Sequence, residues 1–188
     1  MRVEELMSRQ VYWCRPESTL DKAAQLMWDH DVGAIPVCSG DGTTRVIGII
    51  TDRDIAMCAL FRGRPLHEIQ VSEGMTQNLR KARPADSASA VEQEMRNAQI
   101  RRLPVIDDNE ALIGIVSLAD LSRQAARSIS QGTRDVSHGE VGDTLAAIVE
   151  PTHRSSSSSA GASSSGPSSA QRPYAQQGSS SSSTRPSL

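Results

Sequence analysis

An internal duplication constrains this chain more than any other feature. Met7, Pro16 and Pro36 recur as Met75, Pro84 and Pro104, each 68 residues later. Gly48-Ile49-Ile50-Thr51-Asp52-Arg53-Asp54 recurs as Gly114-Ile115-Val116-Ser117-Leu118-Ala119-Asp120, now 66 residues later. The two-residue change falls between Val37 and Gly48, where the first copy has the polar turn SGDGTTR and the second the shorter DDNEA. Surface turns absorb length changes of this kind. Each copy follows one local order. Ser18-Thr19 and Asp86-Ser87 offer side-chain oxygens to the first free amides of a helix. Leu20, Ala23, Ala24, Met27 and Trp28 then fall at helical spacing, as do Ala88, Val91, Met95 and Ala98. A strand with a central proline follows (AIPVC at 34–38, RLPVI at 102–106), then a turn, then VIGII at 46–50 or ALIGIV at 111–116. A second helix is predicted from Thr51 to about Leu60, and from Ser117 to about Arg127. The unit is β-α-β-β-α, and each has one sheet face to cover. The expected fold is therefore α/β (α+β), two tandem units packed through their sheets.

The boundaries expected are 1–62 and 68–128 for the repeats and 129–150 for an extension. Within the extension, Asp143-Thr144 would cap a short helix LAAIVE that docks on the repeats or on a neighbouring subunit. Residues 151–188 are mostly Ser, with Ala, Gly, Gln and Pro, and hold Arg154, Arg172 and Arg185 but no acidic residue. A segment with so little to bury cannot offset the entropy of ordering, so a disordered tail is expected, a passive extension or a site of phosphorylation or tethering. The net charge of −2 lacks the concentrated basic surface of a nucleic-acid binder. No apolar run nears the roughly 18 residues of a membrane span, and MRVEELMSRQ does not read as a secretory signal. A soluble cytoplasmic protein is the expectation. Cys14, Cys38 and Cys58 form no CxxC pair, and buried reduced thiols are expected of them.

The shared Gly-h-h-[Ser/Thr]-x-x-Asp motif has two readings. A Ser or Thr at a helix start, with an acid three residues on, is a capping pair. The same start exposes unpaired amides and the positive end of the helix dipole, which attract anions. There Thr51 or Ser117 can donate to a phosphate, and Asp54 or Asp120 can accept from the two hydroxyls of a ribose. Residue types alone leave both readings open.

Taken in register, VEELMS at 3–8, AIPV with GIITDRDI, and RLPV with GIVSLADL resemble cystathionine-β-synthase (CBS) domains, over roughly residues 1–128. Such domains occur as tandem pairs, the Bateman module. The resemblance implies that the Thr/Ser and Asp hold the phosphate and ribose of an adenosine ligand, in clefts composed from both repeats. The cleft at Asp120 would take Ser117 with Ser18, Ala23 and the edge Val32-Gly33-Ala34. The cleft at Asp54 would take Thr51 with Asp86, Val91 and the edge Ile100-Arg101-Arg102. Arg101 and Arg102 stand where the first copy has Gly33 and Ala34, and forked guanidinium contacts would favour a more highly phosphorylated ligand in the Asp54 cleft. Arg53 is a lesser candidate, and Asp86 there is an acid that could repel phosphate or merely cap its helix. AMP, ADP, ATP, NAD and S-adenosylmethionine all share the adenosine the motif would read. The resemblance also implies a homodimer through the helices and a regulated protein partner.

No catalytic set stands out. The four histidines do not recur between copies, and HExxH, GxSxG and P-loop patterns are missing. Neither catalytic nor metal-ligating residues are expected. The reading is a regulatory sensor, with a ligand-free interaction scaffold as the alternative and a small enzyme as the remote one.

Overall fold

Apolar residues at three- and four-residue spacing bury one side of the helices at 20–29 and 88–98, and the strands at 34–38 and 102–106 each carry a proline at their centre. In the computed structural model the chain divides into Met1–Pro151 and Thr152–Leu188. The structure describes residues 1–131 and 136–150; the expected Ser-rich tail lies outside them. The elements are α1 (Val3–Leu6), α2 (Leu20–Asp29), β1 (Ala34–Cys38), β2 (Val46–Thr51), α3 (Asp52–Arg62), a 3₁₀ turn (Leu66–Glu68), α4 (Val71–Gly74), α5 (Ala88–Ala98), β3 (Arg102–Ile106), β4 (Leu112–Ser117), α6 (Leu118–Gln131) and α7 (His138–Val149).

The duplication is visible residue by residue. β1 and β2 pair antiparallel with Ala34 opposite Thr51 and Val37 opposite Gly48. β3 and β4 pair with Arg102 opposite Ser117 and Val105 opposite Gly114. Each hairpin slips register at one place, Val37/Cys38 and Val105/Ile106. The expected leading strand shrinks to a single parallel bridge, Cys14 to Val37 and Ala82 to Val105. Pro16 and Pro84, two residues on, have no N–H to extend a ladder.

The cores do not follow the order of the sequence. Val3, Leu6 and Met7 pack with Val91, Met95, Leu103 and Val116 of the second copy. Ile69 and Val71, which open the second copy, pack with Leu20, Ile35 and Ile50 of the first. Backbone bonds fix this crossing: Ser8 exchanges both bonds with Ile115 (2.9 and 3.0 Å), and Thr76 does the same with Ile49 (2.8 and 3.0 Å). Each copy therefore sends its leading helix to its sister.

The C-terminal helix is longer than expected. It starts at Ser137, whose hydroxyl accepts from Glu140 N–H while the Glu140 side chain accepts from Ser137 N–H. That reciprocal cap moves the start six residues ahead of Asp143 and leaves Thr144 buried in mid-helix. α7 lies against α5 and α6. Cys14 and Cys38 are buried, and burial pushes their thiols up to about 12 and about 11.

Candidate functional site

Both copies of the shared motif form the same closed loop of bonds. Asp54 Oδ2 accepts from Thr51 N–H (3.0 Å) and from the Thr51 hydroxyl (2.7 Å), and Asp54 N–H donates to Thr51 Oγ1 (3.1 Å). In the second copy the matching distances are 2.8, 2.6 and 3.3 Å, between Ser117 and Asp120. The capping role of these residues is thus realised in both. It occupies one carboxylate oxygen and leaves Oδ1 to other partners. Asp120 Oδ1 accepts from Arg123, three residues on along α6.

The two starts differ in what surrounds them. Ser117 and Asp120 open onto a cavity of about 290 Å³ where the two hairpins meet. One wall is Val32, Gly33 and Ala34, with Asp31; the other is Arg102, Ile115, Ser117, Ala119, Asp120 and Arg123. The floor comes from Ser8, Gln10, Val11 and Tyr12. The cavity therefore brings together six residues marked in the sequence: Val32, Gly33, Ala34, Arg102, Ser117 and Asp120. Gly33 keeps its mouth clear. A Cβ there would stand 3.3 Å from Asp52 Oδ2 and 3.8 Å from the Arg102 guanidinium.

Arg102 is a correction to its expected place beside Thr51 and Asp54. It is the register partner of Ser117 within one hairpin, so it shares a cavity with Asp120. Its guanidinium is half-buried, and no carboxylate among the described residues comes within 4.0 Å of it. Desolvation lowers its pKa, opposed by the fields of Asp52 and Asp120. Such a group favours an anion beside it.

Other expected residues lie elsewhere. Ala23 is fully buried in the stripe Leu20, Ala23, Met27. Ser18 faces a separate hollow with Trp13, Lys22 and Asp29, and its hydroxyl accepts from Arg15 N–H at 3.3 Å. Ile100 packs against the second copy's core, where Val91 is buried. Arg101 is exposed, Arg53 is exposed, and Asp86 accepts from Arg83 N–H at 2.7 Å. Thr51 and Asp54 are not in the Asp120 cavity.

Sequence reading missed Tyr12, Gln10, Asp31 and Arg123. Arg123 was legible as the i+3 neighbour of Asp120 on a helix. Gln10 and Tyr12 arrive because α1 crosses to the second copy and carries Ser8 to Ile115. Tyr12 stacks on His30, with centroids 3.4 Å apart and planes 3° from parallel. Among the described residues, no group of three or more His, Cys, Asp or Glu is placed to hold a metal ion. No described helix is long and apolar enough to cross a membrane.

The sequence of this duplicated fold matches the family described as "CBS domain" over residues 3–60 and 68–127. The chain belongs to the CBS domain family. The CBS domain-containing protein YhcV of Bacillus subtilis is 39% identical over 141 residues, covering 74% of this chain and 97% of its own. Hypoxic response protein 1 of Mycobacterium tuberculosis is 36% identical over 123 residues, 63% of this chain and 81% of its own. The CBS domain pair of protein MJ0100 has been solved in complex with 5′-methylthioadenosine and S-adenosyl-L-methionine. It superposes with a TM-score of 0.59 at 27% identity, covering 66% of this chain and 98% of its own. The tandem CBS architecture and its mixed helix–strand fold are thereby those of this chain.

Proposed function

We propose that this CBS pair binds an adenosine nucleotide in the Asp120 cavity and relays its occupancy to a protein partner, with no catalysis of its own. One observation carries the reading: a ribose-type acceptor, Asp120, and a half-buried guanidinium, Arg102, with no ion-pair partner among the described residues, share one cavity. Val32, Gly33 and Ala34 offer a small, apolar wall suited to a flat base, and their strand edge can pair with its polar rim. Arg123 holds Asp120 Oδ1 and is 61% exposed, so it can swing away to a phosphate as the ribose hydroxyls take that oxygen. The ligands held by MJ0100 support the adenosine part. The two arginines favour AMP, ADP or ATP over an uncharged or sulfonium-bearing relative. Among the described residues no group of three or more His, Cys, Asp or Glu is placed to hold a metal ion that would activate water.

Relay follows from the cavity's composition. Both hairpins line it, so a ligand that binds one arrangement of the repeats better than another shifts their balance. We infer that the responding assembly is a homodimer.

Calorimetry with AMP, ATP, S-adenosylmethionine and NAD tests the reading on the full chain. Asp120→Ala should weaken binding roughly tenfold to a hundredfold, the scale of a lost hydrogen bond to a charged group. Arg102→Ala should weaken AMP and ATP more than S-adenosylmethionine, and Asp54→Ala should leave this site intact. Silence from all four ligands in folded protein would return the chain to a ligand-free scaffold.

A further inference from the structure

The Asp120 cavity shares its rim with a second hollow. Asp31, Val32 and Gly33 line both the cavity and a groove of about 370 Å³ between α2 and α3. Charge changes across that rim. Arg102 and Arg123 line the inner cavity. The outer groove has Asp31 and Asp52 as its charged residues, and no cation stands among the described residues that line it. Asp52 reaches the rim from α3 of repeat 1, and Arg102 from β3 of repeat 2. The absent side chain of Gly33 leaves the two facing each other. A Cβ at that point would stand 3.3 Å from Asp52 Oδ2 and 3.8 Å from both terminal nitrogens of Arg102. They do not close to an ion pair. Desolvation lowers the Arg102 pKa, and among the fields that oppose it Asp52 acts more strongly than Asp120.

An acid in the first turn of a helix often does no more than offset the helix dipole. The duplication separates that role from a role at the rim. The sister of Asp52 is Leu118, and the sister of Arg102 is Ala34. α6 starts at Leu118 and β1 at Ala34 all the same, so neither element needs the charge in order to form. The equivalent rim of the other repeat carries two apolar residues there, both buried. The opposed charges belong to the Asp120 side.

We propose that Asp52 is a specificity-determining residue of the Asp120 cavity, holding it to a nucleoside monophosphate and turning away di- and triphosphates. This rests on the nucleotide reading above and narrows its ligand. Arg102 can answer one phosphate group where it stands, with the ribose at Asp120. Each further phosphate either crowds negative charge beside Asp52 and Asp31 or crosses the rim into a groove with no cation to meet it. Like charges a few ångströms apart at the edge of a cavity repel, and salt screens them little over so short a span. Asp52 touches neither base nor sugar. It acts by competing with the ligand for Arg102 and by adding its own charge at the rim.

Calorimetric titration of the full chain with adenosine, AMP, ADP and ATP decides it, at fixed ionic strength and without divalent cations. The unaltered protein should bind AMP more tightly than ATP. Asp52→Asn should raise ATP affinity relative to AMP roughly threefold to tenfold, and Asp52→Lys should raise it further. Adenosine should bind all three proteins alike. Asp52 is exposed and its sister is a leucine, so circular dichroism should not change. Glu17→Lys makes the same charge change at an exposed residue outside both hollows, and should leave the AMP-to-ATP ratio as it was. An unaltered protein that prefers ATP, a ratio unmoved by Asp52→Lys, or an equal gain from Glu17→Lys would overturn the role of Asp52 while nucleotide binding stands. Silence from all four ligands would overturn the nucleotide reading and this one with it.

Discussion

At the scale of single residues, two glycines hold the repeats together by having no side chain. A Cβ on Gly114 would stand 2.6 Å from Met7 Sδ and 3.2 Å from the Ser8 carbonyl oxygen. A Cβ on Gly48 would stand 2.6 Å from Met75 Sδ, at the same point of the sister repeat. The thioether can bend aside, but the backbone at Ser8 is fixed by its bonds to Ile115. Gly114→Ala should therefore destabilise the protein by about 1–3 kcal/mol in urea unfolding, the range of an overpacked core. The loss should shrink in a Met7→Ala background, since the two residues share one space. Whereas the Val32-Gly33-Ala34 edge is implied only by the family resemblance, residue identity alone announces the twin Asp caps. It could not show Arg102 beside Asp120, because that depends on hairpin register, nor Tyr12, because that depends on a chain crossing.

Among the elements, α7 is the one whose docking is least settled chemically. Its Ser137 and Glu140 make a capping box, which a Ser-x-x-Glu pattern announces; reading Asp143-Thr144 as the cap overlooked it. Glu92 of α5 is buried, and its Oε1 has no hydrogen-bond partner. Burial raises its pKa, the Glu140 charge raises it further, and Arg96 opposes both. A carboxyl whose folded pKa lies above its unfolded value stabilises the fold below the unfolded pKa. It loses that contribution as pH climbs through the folded value. Glu92→Gln should thus raise the melting temperature at pH 7 and change it much less at pH 4. An equal shift at both would mean that the charge does not oppose packing there. The long helices and paired strands were legible from periodicity and prolines, whereas the leading strands reduced to single bridges because Pro16 and Pro84 interrupt them.

For the molecule as a whole, the crossed leading helices make each core a joint product. Residues 1–62 hold Val3, Leu6 and Met7 without the core they fill, and lack Ile69 and Val71, which complete their own. A 1–62 fragment should show little helical circular dichroism, whereas 9–76 should be more helical and unfold more cooperatively at nearly the same length. Equal behaviour of the two fragments would sink this account. The intact pair should unfold in a single calorimetric transition, since neither repeat can lose its fold and leave the other's core whole.

The unit of copying and the unit of packing are out of phase by one helix. Counted by sequence, a repeat starts at its leading helix; counted by contacts, it ends with its sister's. A packed half is thus a circular permutation of a sequence repeat. Two separate single copies could complete their cores by trading those helices, which is the geometry of a domain swap. A linker between α3 and α4 turns that trade into a fold within one chain.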